Sequence, residues 1–109
     1  MLYHSTRSDS LAVDSAQAVL EGLAPDGGLY MPQAMPAFDW KACLSGSSMD
    51  MSTQILSALL PDIPNMPELV KKAYTGKFET DHLTPTVSVG NFGVLELFRG
   101  PTSAFKDVA

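Results

Sequence analysis

Apolar positions repeat at helical spacing through much of the first two thirds of the chain and at strand spacing in the last third. Residues 3–6 carry strand-compatible side chains. Ala12, Ala16, Val19, Leu20 and Leu23 then fall on one helical face. Asp14 and Gln17 are spaced as a capping box, while Gly22 and Pro25 stop the run, so a helix is predicted over residues 15–21. Asp26-Gly27-Gly28 reads as a tight turn into a short strand, Leu29-Tyr30-Met31, ended by Pro32. Residues 33–48 are rich in Ala, Pro, Ser and Gly and read as an irregular connection anchored by Phe38, Trp40 and Leu44.

Met51, Ile55, Ala58 and Leu59 predict a second helix over residues 50–60, ended by Pro61. Asn65 with Glu68 is spaced as another capping box, and Leu69, Val70, Ala73 and Tyr74 form the stripe of a third helix before Gly76. Val87 and Val89, then residues 94–98, are β-rich runs joined by Gly90-Asn91-Phe92-Gly93, the pattern of a hairpin. The expected class is α+β: a small N-terminal domain with about three helices and short strands.

Length and charge narrow the function. A chain of 109 residues holds one compact domain. With 45% hydrophobic and 17% charged residues it is neither a disordered tail nor a membrane span. A net charge of -5, with scattered Lys and Arg, argues against nucleic acid as a partner. The lone Cys43 excludes an internal disulfide framework and fits a reducing compartment, the cytoplasm by default. His4 and His82 lack metal-ligand spacing with each other or with Cys43, so no metal is expected. Gly27-Gly28 and the glycines at 90 and 93 read as turns, because neither pair leads from a strand into a helix.

The chemically informative stretch is Gly100-Pro101-Thr102-Ser103-Ala104-Phe105-Lys106-Asp107. Its layout after a strand is a rigid turn, a hydroxyl cap from Thr102 or Ser103, and a helix start that carries Lys106 in its first turn. The positive end of a helix dipole disfavours an ammonium there. A surface lysine with its stem packed down is the plain reading. A reactive amine is the sharper one, but at a pKa of about 10.4 only about four in ten thousand amines are neutral at pH 7. The dipole shifts this by less than about one unit, so a covalent role implies further protein around Lys106. The chain is accordingly expected to be part of something longer, cut just after Lys106.

Three stretches, in this order, carry a family resemblance: Tyr3 with Ser5-Thr6-Arg7, the run from Gly22 through Ala24-Pro25-Asp26-Gly27-Gly28 to Pro32, and the lysine stretch 100–107. Together they resemble the N-terminal part of threonine synthase, a pyridoxal-phosphate enzyme of fold type II, over nearly the whole chain. The resemblance implies that residues 1–83 are the family's N-terminal domain. Residues 84–109 would open the catalytic domain, cut before its large cofactor-binding α/β body. It also implies that Lys106 bonds pyridoxal 5′-phosphate and later moves protons, and that Phe105 lies beside the cofactor ring. The family converts O-phosphohomoserine and water to threonine and phosphate.

Ser5, Thr6 and Arg7 suit the phosphate of such a substrate, and equally suit a polar strand edge. Ser8 stands where the family often has Gly and Arg99 where it often has His. Alone, the chain is expected to be inactive and to self-associate. Two other readings stay open: a related phospholyase that releases a keto acid, and a non-enzymatic interaction module.

Overall fold

A computed structural model describes residues 1–108. The chain forms two compact units, Met1–Pro67 and Glu68–Ala109. The first is built on a three-stranded antiparallel sheet of order β2-β1-β3, with β1 Leu2–Ser5, β2 Ser8–Asp14 and β3 Tyr30–Pro32. In β1, Tyr3 and Ser5 point inward and are buried, the alternation that a one-sided sheet imposes. Tyr3 pairs with Val13 on one side and Pro32 on the other. The register slips between His4 and Ser5, a bulge at the tight connection through Thr6 and Arg7.

Helix α1 spans Ser15–Glu21, the predicted limits. Asp14 caps it by accepting from the Gln17 amide at 2.8 Å, and Gly22 closes it at φ 72°. Only half of the expected capping box forms, because the Gln17 side chain donates forward to Glu21 instead. Glu21 also accepts from the Tyr30 hydroxyl. This bond holds the Glu21 carboxyl below its ordinary pKa and pushes the Tyr30 phenol up to about 12.

The connection expected to be irregular contains a single helical turn, α2, Trp40–Cys43, capped by Asp39. Helix α3 runs Ser48–Leu59, starting two residues earlier than predicted because Ser47 and Asp50 form a reciprocal capping box. The Tyr3 hydroxyl donates to the Leu59 carbonyl, fastening the sheet to the end of α3. Burial, and to a lesser degree the Asp62 charge, raise the Tyr3 pKa.

Asp62 gathers the Met1 ammonium at 3.1 Å, the Ser15 hydroxyl at 2.7 Å and the Ser15 amide at 3.2 Å. Led by the Ser15 hydroxyl, these donors hold its carboxyl down to about 2. A depressed carboxyl stabilises the fold above its unfolded pKa, and the contribution disappears as pH falls through the folded one. Asp62→Asn is therefore expected to lower the urea midpoint at pH 6, with the gap to the parent chain closing between about pH 4 and pH 2. A gap independent of pH in paired urea titrations would contradict this.

Helix α4, Met66–Tyr74, leads into the second unit. Asn65 before it stands at φ 59°, in the left-handed region and not in the extended conformation from which a cap reaches the N3 amide. The capping box expected of Asn65 and Glu68 lacks that geometry. Strands β4, Thr86–Val89, and β5, Phe92–Leu95, form the predicted hairpin. Its turn is only Gly90-Asn91, with Gly90 at φ 59°, so Phe92 and Gly93 belong to the strand. All eight strand residues are exposed. Among the described residues no helix is long and apolar enough to cross a membrane.

Candidate functional site

In the first unit, Ser5, Thr6 and Arg7 turn the chain from β1 into β2 and meet the loop 26–29. Ser5 is 2% exposed, and its hydroxyl lies 2.7 and 2.9 Å from the two Asp26 carboxylate oxygens while accepting from the Arg7 amide at 3.1 Å. Asp26 accepts from the Gly28 amide at 2.9 Å, and the Arg7 guanidinium donates to the Asp26 carbonyl at 3.0 Å. Thr6 exchanges bonds with Leu29: its amide donates to the Leu29 carbonyl, and its hydroxyl oxygen accepts from the Leu29 amide at 3.0 Å. The Ser5 hydroxyl, then the Gly28 amide, hold the Asp26 carboxyl below its usual range.

The three residues therefore differ in role. Ser5 commits its one hydroxyl hydrogen to Asp26 inside the corner, whereas Thr6 and Arg7 are exposed. An exposed guanidinium suits a phosphate. Asp26 was legible only as a turn residue; its Pro-Asp-Gly-Gly setting gave no sign that a side chain 21 positions earlier would supply its donor.

In the second unit, the lysine stretch forms a loop and a single 3₁₀ turn, Phe105–Asp107, where a longer helix start was expected. The residue at its N-terminus is Ala104, without a side-chain cap, so neither Thr102 nor Ser103 acts as the predicted hydroxyl cap. The reason is a stronger acceptor nearby: Thr102 donates its amide to Asp107 Oδ2 at 2.7 Å and its hydroxyl to Asp107 Oδ1 at 2.6 Å. One three-residue turn also carries little of the dipole that a full helix would direct at Lys106. Lys106 is exposed, and Phe105, beside it in sequence, is 71% exposed.

Arg99 enters this stretch as a clasp. Its Nε and one terminal nitrogen grip Glu96 at 2.9 and 3.1 Å, and the other terminal nitrogen reaches Glu79 at 3.0 Å. Glu96 first, then Glu79, raise the Arg99 pKa, keeping it charged. Its guanidinium carbon also lies 5.0 Å from the Phe98 ring centre. With its donors committed to two carboxylates, Arg99 fastens the segment after β5 to Glu79, whose amide also donates to the Arg99 carbonyl at 3.0 Å.

An exposed amine and a neighbouring exposed aromatic residue, borne by a fastened turn, are side chains of the kind that a flat aldehyde cofactor would call for, an amine toward the aldehyde and a ring toward the heterocycle.

A family profile described as the threonine synthase N terminus matches residues 2–74. The threonine synthase of Methylobacillus glycogenes is 37% identical over 100% of this chain and 26% of its own length. That of Saccharomyces cerevisiae is 36% identical over 99% of this chain and 24% of its own. A crystal structure of PLP-bound threonine synthase from Brucella melitensis superposes with a TM-score of 0.82 at 37% identity, over 98% of this chain and 24% of that one. The chain thus spans about a quarter of the length of these relatives.

Proposed function

The chain belongs to the threonine synthase family, and on that footing we propose that it is the N-terminal part of an enzyme converting O-phosphohomoserine and water to threonine and phosphate with pyridoxal 5′-phosphate. The observation that carries this reading is the placement of Lys106 and Phe105 on an exposed, fastened turn, in a chain similar to threonine synthases from end to end. When bound, the cofactor supplies an electron sink for carbanion charge.

This chain's own residues do the rest of what is assigned to it. Lys106 Nζ would hold the cofactor through its aldehyde and serve as the proton-carrying amine, and Phe105 would flank the ring. Thr6 and Arg7 meet the substrate phosphate, with Ser5 holding their corner through Asp26. A reducing setting such as the cytoplasm suits the buried Cys43 thiol, which donates to Gln54.

The test is to extend the chain to the length of its relatives, supply O-phosphohomoserine and cofactor, and identify the products. Threonine and phosphate in equal amounts are expected. Release of a keto acid would reassign the protein as a phospholyase, and no reaction at all would favour an interaction module.

The 109-residue chain alone is proposed to be inactive and to self-associate. Val89, Phe92 and Leu95 are 58%, 77% and 54% exposed on a two-stranded sheet with unpaired edges, a surface that a lone hairpin leaves to other apolar groups. Sedimentation velocity is expected to show mass rising with concentration, and a monomer at every concentration would oppose it.

A further inference from the structure

Three residues of the lysine stretch, Gly100, Thr102 and Asp107, have no part in the chemistry assigned to Lys106, yet they make one interlocked contact. The Asp107 carboxylate uses both oxygens on Thr102, one on the amide and one on the hydroxyl, at 2.7 and 2.6 Å. Gly100 lies beneath it: a β-carbon there would come within 2.5 Å of Asp107 Cβ and 2.9 Å of its Cγ. Between them Ser103 is held at φ 53°, a conformation that residues with a β-carbon adopt rarely unless their surroundings enforce it. The Ser103 amide donates to the Gly100 carbonyl and the Asp107 amide to the Ala104 carbonyl, which closes the loop from both ends. One residue further on, the Val108 carbonyl accepts from the Tyr74 hydroxyl at 2.9 Å. The backbone is thus fixed on both sides of Lys106 while its side chain stays exposed.

We propose that Asp107 is the positioning residue for Lys106: its carboxylate clamps Thr102 and holds the strained loop that fixes where the lysine backbone stands. The claim rests on the reading of Lys106 as the cofactor lysine. The chemistry of the clamp calls for aspartate. Thr102 offers two donors, so an amide side chain would satisfy one and turn an N–H group toward the other. The Asp107 side chain already fills the space that a β-carbon on Gly100 would take, so glutamate would have to fit an extra methylene between Gly100 and Thr102 and lose the register of both bonds. The Thr102 hydroxyl, the largest influence, keeps the Asp107 carboxyl below its usual range against the opposing effect of burial, so it is an anion ready to accept both donors.

The experiment uses the chain extended to the length of its relatives, with Asp107→Asn, Thr102→Val and Thr102→Ser. Peptide-resolved hydrogen exchange reads the loop, titration with pyridoxal phosphate reads cofactor affinity, and borohydride trapping reads which residue is bonded. Asp107→Asn and Thr102→Val are each expected to speed exchange across residues 100–105 about tenfold and to weaken cofactor affinity about tenfold, the denaturation midpoint moving little. Thr102→Ser, which keeps both donors, is expected to restore parent behaviour. Unchanged exchange and affinity in Asp107→Asn, with Lys106 still trapped, would overturn the clamp and leave the proposed function standing. Faster exchange with unchanged affinity would overturn the positioning role. Trapping at another residue would overturn the proposed function, whatever the loop does.

Discussion

Replacing Lys106 with alanine in the extended chain is expected to lower threonine formation by at least about a thousandfold, because a positioned proton carrier and a covalent anchor are lost together. The fold should hardly notice. Lys106 is exposed, and substitutions at such positions ordinarily change stability by no more than about 0.5 kcal/mol. The same urea midpoint with the activity gone is therefore the signature expected. Lys106→Arg sharpens the test: it keeps the positive charge and the long stem but not an amine that can deprotonate and bond an aldehyde. Arginine at this position is expected to fail as completely as alanine, and activity surviving in Lys106→Arg would show that only charge is needed there. Borohydride reduction of the parent should place the cofactor on the peptide containing Lys106.

What was legible in the sequence was whatever local contacts decide. Helix α1 has its predicted limits because Asp14 and Gly22, its cap and its stop, are adjacent to it in the chain. The hairpin was legible for the same reason, with Gly90 supplying the positive φ of its turn. Strand β2 differs from what the periodicity predicts: Ala12 fits the helical stripe, yet it lies in Ser8–Asp14, which pairs with β1. Its identity as a strand comes from a partner across the sheet, which a pattern of seven residues signals weakly. Helix α2 is four residues long, too short to display a period.

The lysine stretch shows the same limit on a smaller scale. Its motif singles out Lys106 and Phe105 as candidates, while a hydroxyl before a helix start predicts an acceptor for backbone amides. In the folded chain the Thr102 hydroxyl is a donor, because Asp107 supplies an ionised acceptor five residues on. The corner at Ser5 depends on Asp26 and Gly28, contacts of 21 and 23 positions that no spacing rule connects.

Gly28→Ala tests that corner and carries the largest expected effect on stability. Gly28 is buried, and a β-carbon added to it would overlap the Ser5 hydroxyl oxygen, come within 3.0 Å of Asp26 Oδ1 and within 3.2 Å of the Arg7 amide nitrogen. The Ser5 side chain cannot swing aside without losing its bonds to Asp26 and Arg7, and the Arg7 nitrogen is backbone. Overpacking of this kind costs about 2 kcal/mol, which for a chain of this size lowers Tm by roughly 10 °C. Gly22→Ala is the comparison that separates space from backbone strain: Gly22 has φ 72° but nothing within 4 Å of the added carbon. Its expected cost is only the conformational one, about 1 kcal/mol. Removing the obstructing oxygen should then relieve Gly28→Ala specifically, so its cost should fall markedly in a Ser5→Ala background while that of Gly22→Ala does not change. Equal cost of Gly28→Ala in both backgrounds, measured by thermal melts, would show that the overlap is not what destabilises the variant. Because Thr6 and Arg7 ride on the same corner, the extended enzyme carrying Gly28→Ala is also expected to show a KM for O-phosphohomoserine raised several-fold. The effect should exceed that of Gly22→Ala, which leaves the corner in place.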